Sequence, residues 1–375
     1  MSEFKITSLS FELQRSMEDA GFQSLTEIQQ EVLPQALAGH DILAQSPTGS
    51  GKTGAYLIPI LEQIELQPGK KHQPQALILV PTRELAVQIA DVIRKMLTHR
   101  EGIRTAVLTG GVDMNAQVRS FSKGADIVVA TPSRLLDHFR RHTFKPSKCR
   151  TLVLDEADVM VSMGFAQDVI SCAAQLPEHQ TMLFSATYDS TAEDQFAQLL
   201  NTPVCCTVSE EALIPQKLNL EYAVLDEKQK PDLLFKLLKK QDIKQTLVFC
   251  NTRKTCDFIN SLLREKGFSA NTIHSEMDPN VRRSIMKQFR DHSFPILIAT
   301  DVASRGIDIP DMNLVISYDC PDFPDGFIHR IGRTGRAGTD GTAVLFLIPA
   351  EQNHIHEMKE LTSLEPVRLN FGKEH

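Results

Sequence analysis

No stretch of this 375-residue chain approaches the ~18 consecutive apolar residues that a membrane-spanning helix requires, although hydrophobic residues make up 42% of it. The sequence therefore predicts no membrane span. The opening residues, Met1-Ser2-Glu3-Phe4-Lys5, lack the basic-then-apolar layout of a secretory leader, which points to the cytoplasm. Cysteine is sparse too: seven residues, odd in number, with an adjacent pair at Cys205 and Cys206 and no C-x-x-C spacing, so neither a disulfide framework nor a zinc site is expected. Basic charge is in deficit. The formal net charge is −7 and no lysine- or arginine-rich tail follows the last folded segment, so non-specific capture of a polyanion should be modest and salt-sensitive. Net charge averages over a whole surface, however, and a local basic stripe would suffice; Arg282, Arg283, Arg330, Arg333 and Arg336 are its candidates.

The chain is too long for one comfortable core and fits two domains. Short apolar runs at 42–44, 76–80, 105–108, 127–130, 151–154 and 181–184 recur at intervals that leave room for helices, as a parallel sheet with crossover helices requires. The rhythm breaks at Thr207 to Pro215, a polar, acidic stretch closed by proline, which reads as a hinge. A second series follows at 246–249, 296–299, 314–318 and 343–348. The expectation is an α/β protein of two similar lobes, spanning 1–206 and 216–375, joined by a linker at 207–215. In open α/β sheets ligands sit beyond the carboxyl ends of the strands, so the turns after these runs are where function is sought.

One such turn is Ser46-Pro47-Thr48-Gly49-Ser50-Gly51-Lys52-Thr53, between a strand and the start of a helix. Glycines let backbone N–H groups close on phosphates, the helix N-terminus adds partial positive charge, Lys52 can reach the β and γ phosphates, and the Thr53 hydroxyl can ligate magnesium. Ser46 stands where the general pattern has its first glycine. Far downstream, the run 151–154 ends abruptly in Asp155-Glu156-Ala157-Asp158. Successive strand side chains point opposite ways, so adjacent carboxylates can do different jobs. Asp155 is assigned to the magnesium shell, Glu156 to orienting and deprotonating the attacking water, and Asp158 to tying this loop to a neighbouring segment. In the second lobe, His329-Arg330-Ile331-Gly332-Arg333-Thr334-Gly335-Arg336 spaces three arginines with glycines. An arginine reaching the γ-phosphate would neutralise transition-state charge, worth on the order of 10³ to 10⁵ in turnover in nucleotidases that use one.

With these residues in place, nearly the whole chain resembles a DEAD-box ATP-dependent RNA helicase. The tetrad is Asp155 to Asp158. Also matching are the segment from Gly21 and Phe22 to Gln29; Pro81-Thr82-Arg83-Glu84-Leu85-Ala86; Gly110-Gly111; Ser185-Ala186-Thr187; Val248 to Thr252; Ala299 to Asp308; and His329 to Arg336. The resemblance implies two tandem RecA-like domains, ATP and magnesium as ligands, and RNA as partner. It implies that Gln29 reads the adenine edge with Phe22 against the ring, while Ser46, Thr48, Gly49, Ser50, Gly51, Lys52 and Thr53 hold phosphates. Asp308 would contact the ribose, and Arg333 and Arg336 would be the fingers. Pro81, Thr82, Arg83, Gly110, Gly111, Thr131 and Arg134, with Arg253, Thr300 and Gly306, would line an RNA track through phosphate and sugar contacts. Ser185 and Thr187, with Asp158 and His329, would couple ATP state to unwinding.

The chain departs from that pattern at Leu25 (commonly proline), Ser133 (glycine), Val159 (arginine) and Pro279 (glutamine). Proline has no side-chain amide, so weaker coupling between RNA binding and closure is expected from Pro279. The sequence shows no appended RNA-recognition module, so a protein partner is expected to supply target choice to a monomeric enzyme. Two machines fit these residues: a helicase that hydrolyses ATP while separating or remodelling short RNA duplexes, and an ATP-gated RNA clamp that acts mainly as a scaffold. A DNA translocase is a third, set aside because the resemblance points to RNA.

Overall fold

The computed structural model describes residues 4–22, 24–46, 49–67, 69, 72–186, 190–208, 218–239, 245–274, 276–301, 312–321, 324–335, 341–362 and 364–369. Of the residues named above, Met1, Ser2, Glu3, Pro47, Thr48, Thr187, Pro215, Gly306, Asp308 and Arg336 lie outside these, as do the expected linker from 209 onward and the side chains of Pro279 and His329. The chain divides into two compact units, Met1–Ser209 and Glu210–His375.

The first unit is built on strands β1 (Ile42–Gln45), β2 (Ala76–Leu79), β3 (Thr105–Leu108), β4 (Ile127–Ala130), β5 (Thr151–Leu154), β6 (Gln180–Ser185) and β7 (Val204–Thr207), ordered β3-β4-β2-β5-β6-β1-β7 with all pairings parallel. Thr207, read from sequence as the first linker residue, is the last residue of β7. Strands β2, β4 and β5 are buried throughout because helices cover both sheet faces, which is why they read as unbroken apolar runs. One core layer gathers Val32, Tyr56, Ile78, Ile89 and Phe184; the other gathers Leu77, Leu135, Leu152, Met160 and Phe196.

The second unit repeats the plan with β8 (Leu218–Val224), β9 (Thr246–Cys250), β10 (Ala270–Ile273), β11 (Ile296–Thr300), β12 (Leu314–Ser317), β13 (Gly341–Leu347) and β14 (Val367–Arg368), ordered β10-β11-β9-β12-β13-β8-β14 and again parallel. The helix Arg253–Glu265 illustrates how its cover forms. Thr252 caps it by accepting from the Thr255 N–H at 3.1 Å, and Cys256, Ile259 and Leu263 fall on one buried stripe at helical spacing. In both units the carboxyl strand ends carry the polar turns.

Candidate functional site

At the end of β1 the chain turns through Gly49 (φ 92°) and Gly51 (φ 98°) into the helix Lys52–Gln63. Gly51 is required on two counts: its φ is left-handed, and a Cβ there would lie 2.6 Å from Thr26 Oγ1 and 2.7 Å from Gln29 Nε2. Ser46 is fully buried and its hydroxyl meets that of Ser50 at 2.5 Å, so the serine that replaces the pattern's first glycine cross-links the two ends of the cradle. Lys52 is buried with its ammonium on the Ser46 carbonyl and 3.4 Å from the Ser185 carbonyl. Ser46 N–H donates to that same Ser185 carbonyl at 3.1 Å. The end of β6 therefore touches the phosphate loop through Ser185 itself.

Gln29 sits in the third position of the helix Glu27–Leu37, closing a capping box with Thr26. Its Oε1 accepts from Thr26 N–H at 3.1 Å and its Nε2 donates to the Gly51 carbonyl at 2.9 Å. One N–H and one lone pair of the amide are thus spent on holding the segment against the cradle, which leaves one donor and one acceptor. Phe22 packs on the core beside it, and Leu25, the residue in place of proline, does likewise.

Across the sheet, β5 ends in Asp155, only 3% exposed. Tyr56 Oη donates to its Oδ2 at 2.8 Å and the Glu156 N–H to its Oδ1 at 3.0 Å. Burial pushes the Asp155 carboxyl above its usual range, opposed by the charge of Lys52 and these hydrogen bonds. Burial, with Asp155 adding to it, likewise holds the Tyr56 phenol well above its ordinary value, so it remains a donor. Glu156 adopts φ 54°, a left-handed conformation costly for a non-glycine residue, at the N-cap of the helix Ala157–Ser162. Asp158 Oδ1 is shut from solvent and accepts no hydrogen bond, so the tie expected of Asp158 is not made through that oxygen. Val159, where an arginine was the pattern, is buried in this helix.

A buried carboxylate beside the start of the phosphate loop's helix suits a hard cation shared with substrate phosphates. Among the described residues no three His, Cys, Asp or Glu side chains cluster as a self-sufficient metal site. Asp155 and Thr53 are the residues that would hold a magnesium ion shared with substrate phosphates.

The other half of the same rim, at the ends of β2, β3 and β4, carries the arginines and glycines. Thr82 caps the helix Arg83–Met96, accepting from Leu85 N–H at 3.3 Å. Arg83 reaches the Gly110 carbonyl at 3.5 Å, and Gly111 has φ 74°. Thr131 stands at the N-cap position of the helix Pro132–Arg140, from which Arg134 donates to the Val112 carbonyl at 2.9 Å and to Gln117 Oε1 at 3.1 Å. Ser133, in place of glycine, donates to Asp168 at 2.5 Å and joins two helices. Pro81, Thr82, Arg83, Gly110, Gly111, Thr131 and Arg134 thus converge on three neighbouring strand ends. Sequence reading missed Tyr56, which lies one helical turn after Lys52, and Gln117.

In the second unit three of the five arginines expected in a basic stripe are withdrawn from the surface, while Arg283 is exposed and Arg336 lies outside the described residues. Arg330 is 0% exposed. Its guanidinium forks onto Asp301 at 2.7 and 2.6 Å, donates to the Asp319 carbonyl at 2.6 Å and to Asn251 Oδ1 at 2.8 Å, and lies 5.2 Å from the centre of the Phe249 ring. It joins the ends of β9, β11 and β12 to the helix Pro324–Ile331. Arg282 and Arg333 are also buried. The physical reason in the case of Arg330 is that the strand ends around it offer carbonyl and carboxylate oxygens, and its four hydrogen bonds to them hold the guanidinium inside. Arg253, by contrast, is half-exposed and paired with Glu276, and Thr300 closes β11.

A DEAD/DEAH box helicase family model matches residues 26–195, and a helicase conserved C-terminal domain model matches residues 229–338. The DEAD-box ATP-dependent RNA helicase CshA of Bacillus cereus (strain ATCC 10987 / NRS 248) is 36% identical over 371 residues, which cover 99% of this chain and 70% of that protein. The ATP-dependent RNA helicase CshA of Limosilactobacillus reuteri is 36% identical over 368 residues, 98% of this chain and 73% of that one. Among solved structures, Dbp5 of S. cerevisiae bound to RNA and ADP BeF3 superposes with a TM-score of 0.88 at 28% identity, covering 98% of this chain and 96% of that one.

Proposed function

This chain belongs to the DEAD-box family of ATP-dependent RNA helicases, and we propose that it couples RNA-stimulated ATP hydrolysis to local separation of short RNA duplexes or remodelling of RNA–protein complexes. The observation that carries the proposal is the single rim of the first sheet, with a phosphate cradle and acid pair at β1, β5 and β6 and an arginine–glycine surface at β2, β3 and β4.

In this reading the Gly49 to Thr53 backbone cradles the ATP phosphates, and Lys52 leaves the Ser46 and Ser185 carbonyls to meet the β and γ oxygens. Gln29 turns its remaining donor and acceptor to the adenine edge, with Phe22 beside the ring. A magnesium ion held by Asp155 and Thr53 would offset phosphate charge. Glu156, on its left-handed N-cap, orients and deprotonates the attacking water. Arg333 and Arg336 supply charge to the developing phosphoryl transition state, and Asp308 meets the ribose. Arg83, Gly110, Gly111, Thr131 and Arg134, with Arg253, Thr300 and Gly306, hold RNA by its backbone. Ser185, whose carbonyl accepts from both Ser46 and Lys52, relays the state of the cradle, together with Thr187, Asp158 and His329. ATP and RNA binding are then mutually favourable by linkage. The test is strand separation of a short RNA duplex by the intact chain: ATP-dependent release of a labelled strand is expected, and its absence with saturating ATP and enzyme contradicts the proposal.

A further inference from the structure

Three side chains hold three carbonyls of the 109–112 loop: Gln117 Nε2 donates to Thr109 O at 2.7 Å, Arg83 to Gly110 O at 3.5 Å and Arg134 to Val112 O at 2.9 Å. A trans peptide is planar, with each carbonyl antiparallel to the next N–H. Fixing those carbonyls inward turns the N–H groups of Gly110, Gly111 and Asp113 away from the holding side chains. Among the described residues these three N–H groups have no protein acceptor, and an added Cβ at Gly110 would meet nothing within 4 Å. Successive free N–H groups beside an arginine make an anion-binding concavity.

We propose that Gln117 is a positioning residue for RNA binding: its amide, oriented by His138, sets the 109–112 loop and Arg134 together as a preformed seat for one backbone phosphate. The proposal rests on the reading of this rim as an RNA track. Gln117 is buried and its two amide ends cannot be exchanged. A carbonyl only accepts and a guanidinium only donates, so the NH₂ must face Thr109 O and the oxygen must face Arg134. The oxygen also meets His138 Nε2 at 3.2 Å, which fixes that nitrogen as the protonated one, and His138 Nδ1 faces the Thr143 hydroxyl at 2.8 Å. His138 is fully buried, in edge contact with Phe121 at 6.5 Å. Burial, reinforced by the nearby Arg134 charge, lowers the imidazole pKa and favours its neutral form, with the proton on Nε2 toward Gln117 and the lone pair on Nδ1. A glutamate in place of Gln117 keeps the shape and the contact to Arg134, but sets a carboxylate against the Thr109 carbonyl and beneath the seat.

The test is ATP turnover by the full chain titrated with single-stranded RNA, for Q117L, Q117E and R134A, with thermal unfolding of each. For Q117L the RNA concentration giving half-maximal stimulation should rise about 3- to 10-fold, the worth of one or two neutral hydrogen bonds. For Q117E it should rise further, and in both kcat at saturating RNA should stay within about twofold. Loss of kcat in proportion to a lowered unfolding temperature would make Gln117 a packing residue only and overturn the proposal. If R134A raises the RNA requirement while both Gln117 variants match the parent, the positioning role falls and the track stands. If none of the three shifts it, the track reading falls and the proposal with it.

Discussion

Truncating Arg330 separates two accounts of the second unit. Were Arg330 part of a basic surface stripe, R330A would weaken polyanion binding and leave stability alone. In the structure it makes four hydrogen bonds of 2.6 to 2.8 Å, two of them a fork onto Asp301, which is itself 27% exposed. Removing one partner of a buried charged pair costs about 3–5 kcal/mol, because the other partner and the carbonyl it held are left unsatisfied. Asp301 retains some solvent contact, which places the estimate near the lower end, about 3 kcal/mol. At about 2–4 °C per kcal/mol for a unit of this size, the unfolding temperature should fall by roughly 6–12 °C. Lysine restores charge but not the planar fork, and R330K should lose about half as much. Circular dichroism melting gives the shift, and amide exchange at Leu247 to Cys250 and Ile296 to Thr300 locates it. An R330A variant within about 0.5 kcal/mol of the parent, with weakened RNA binding, would refute the buried-junction reasoning.

Other perturbations follow from the same geometry. Glu156→Gln should leave ATP and RNA binding intact while lowering turnover by about 10² to 10⁴, the usual worth of a general base; normal hydrolysis in single-turnover assays would remove Glu156 from that role. Gly51→Ala forces a Cβ into Thr26 and Gln29 at a left-handed φ, and ATP affinity by titration should fall on the order of 10- to 100-fold, equivalent to about 1–3 kcal/mol. His138 faces Arg134, Asp137, Arg141, Gln117 and Thr143, and burial with the nearby Arg134 charge lowers its folded pKa below the ordinary histidine value of about 6.5. Its contribution is therefore fully present above about pH 6.5 and is lost as pH falls through the folded pKa. Urea unfolding at about pH 7 and pH 5 should show a smaller acid loss in H138N than in the parent; an unchanged loss would contradict this.

Strands β2, β4 and β5 of the first unit were legible because both faces of the sheet are covered there, leaving continuous apolar runs. Those that escaped notice have other patterns. Val204–Thr207, at the sheet edge, leaves Cys205 and Thr207 exposed, and Leu218–Val224 mixes buried Leu218, Leu220 and Ala223 with exposed Asn219 and half-buried Glu221 and Tyr222. Ala270–Ile273 carries Asn271 and Thr272 within it. The runs Ser46 to Thr53 and Asp155 to Asp158 could be singled out in the sequence because each is local and its proposed chemistry is carried by its own residues. The role of Arg330 was not legible, since its partners Asn251, Asp301 and Asp319 come from the ends of three strands and converge only in the folded sheet. Gln117 and His138 escaped for a related reason: neither residue type announces a role, and their meaning lies in which carbonyl and which guanidinium they meet.

The central claim is that ATP turnover depends on RNA held along the same rim that carries the cradle. The most direct measurement is steady-state ATP hydrolysis by the intact chain with and without saturating single-stranded RNA, beside matched DNA. The account predicts clear stimulation by RNA and little by DNA; equal rates in all three conditions would contradict it.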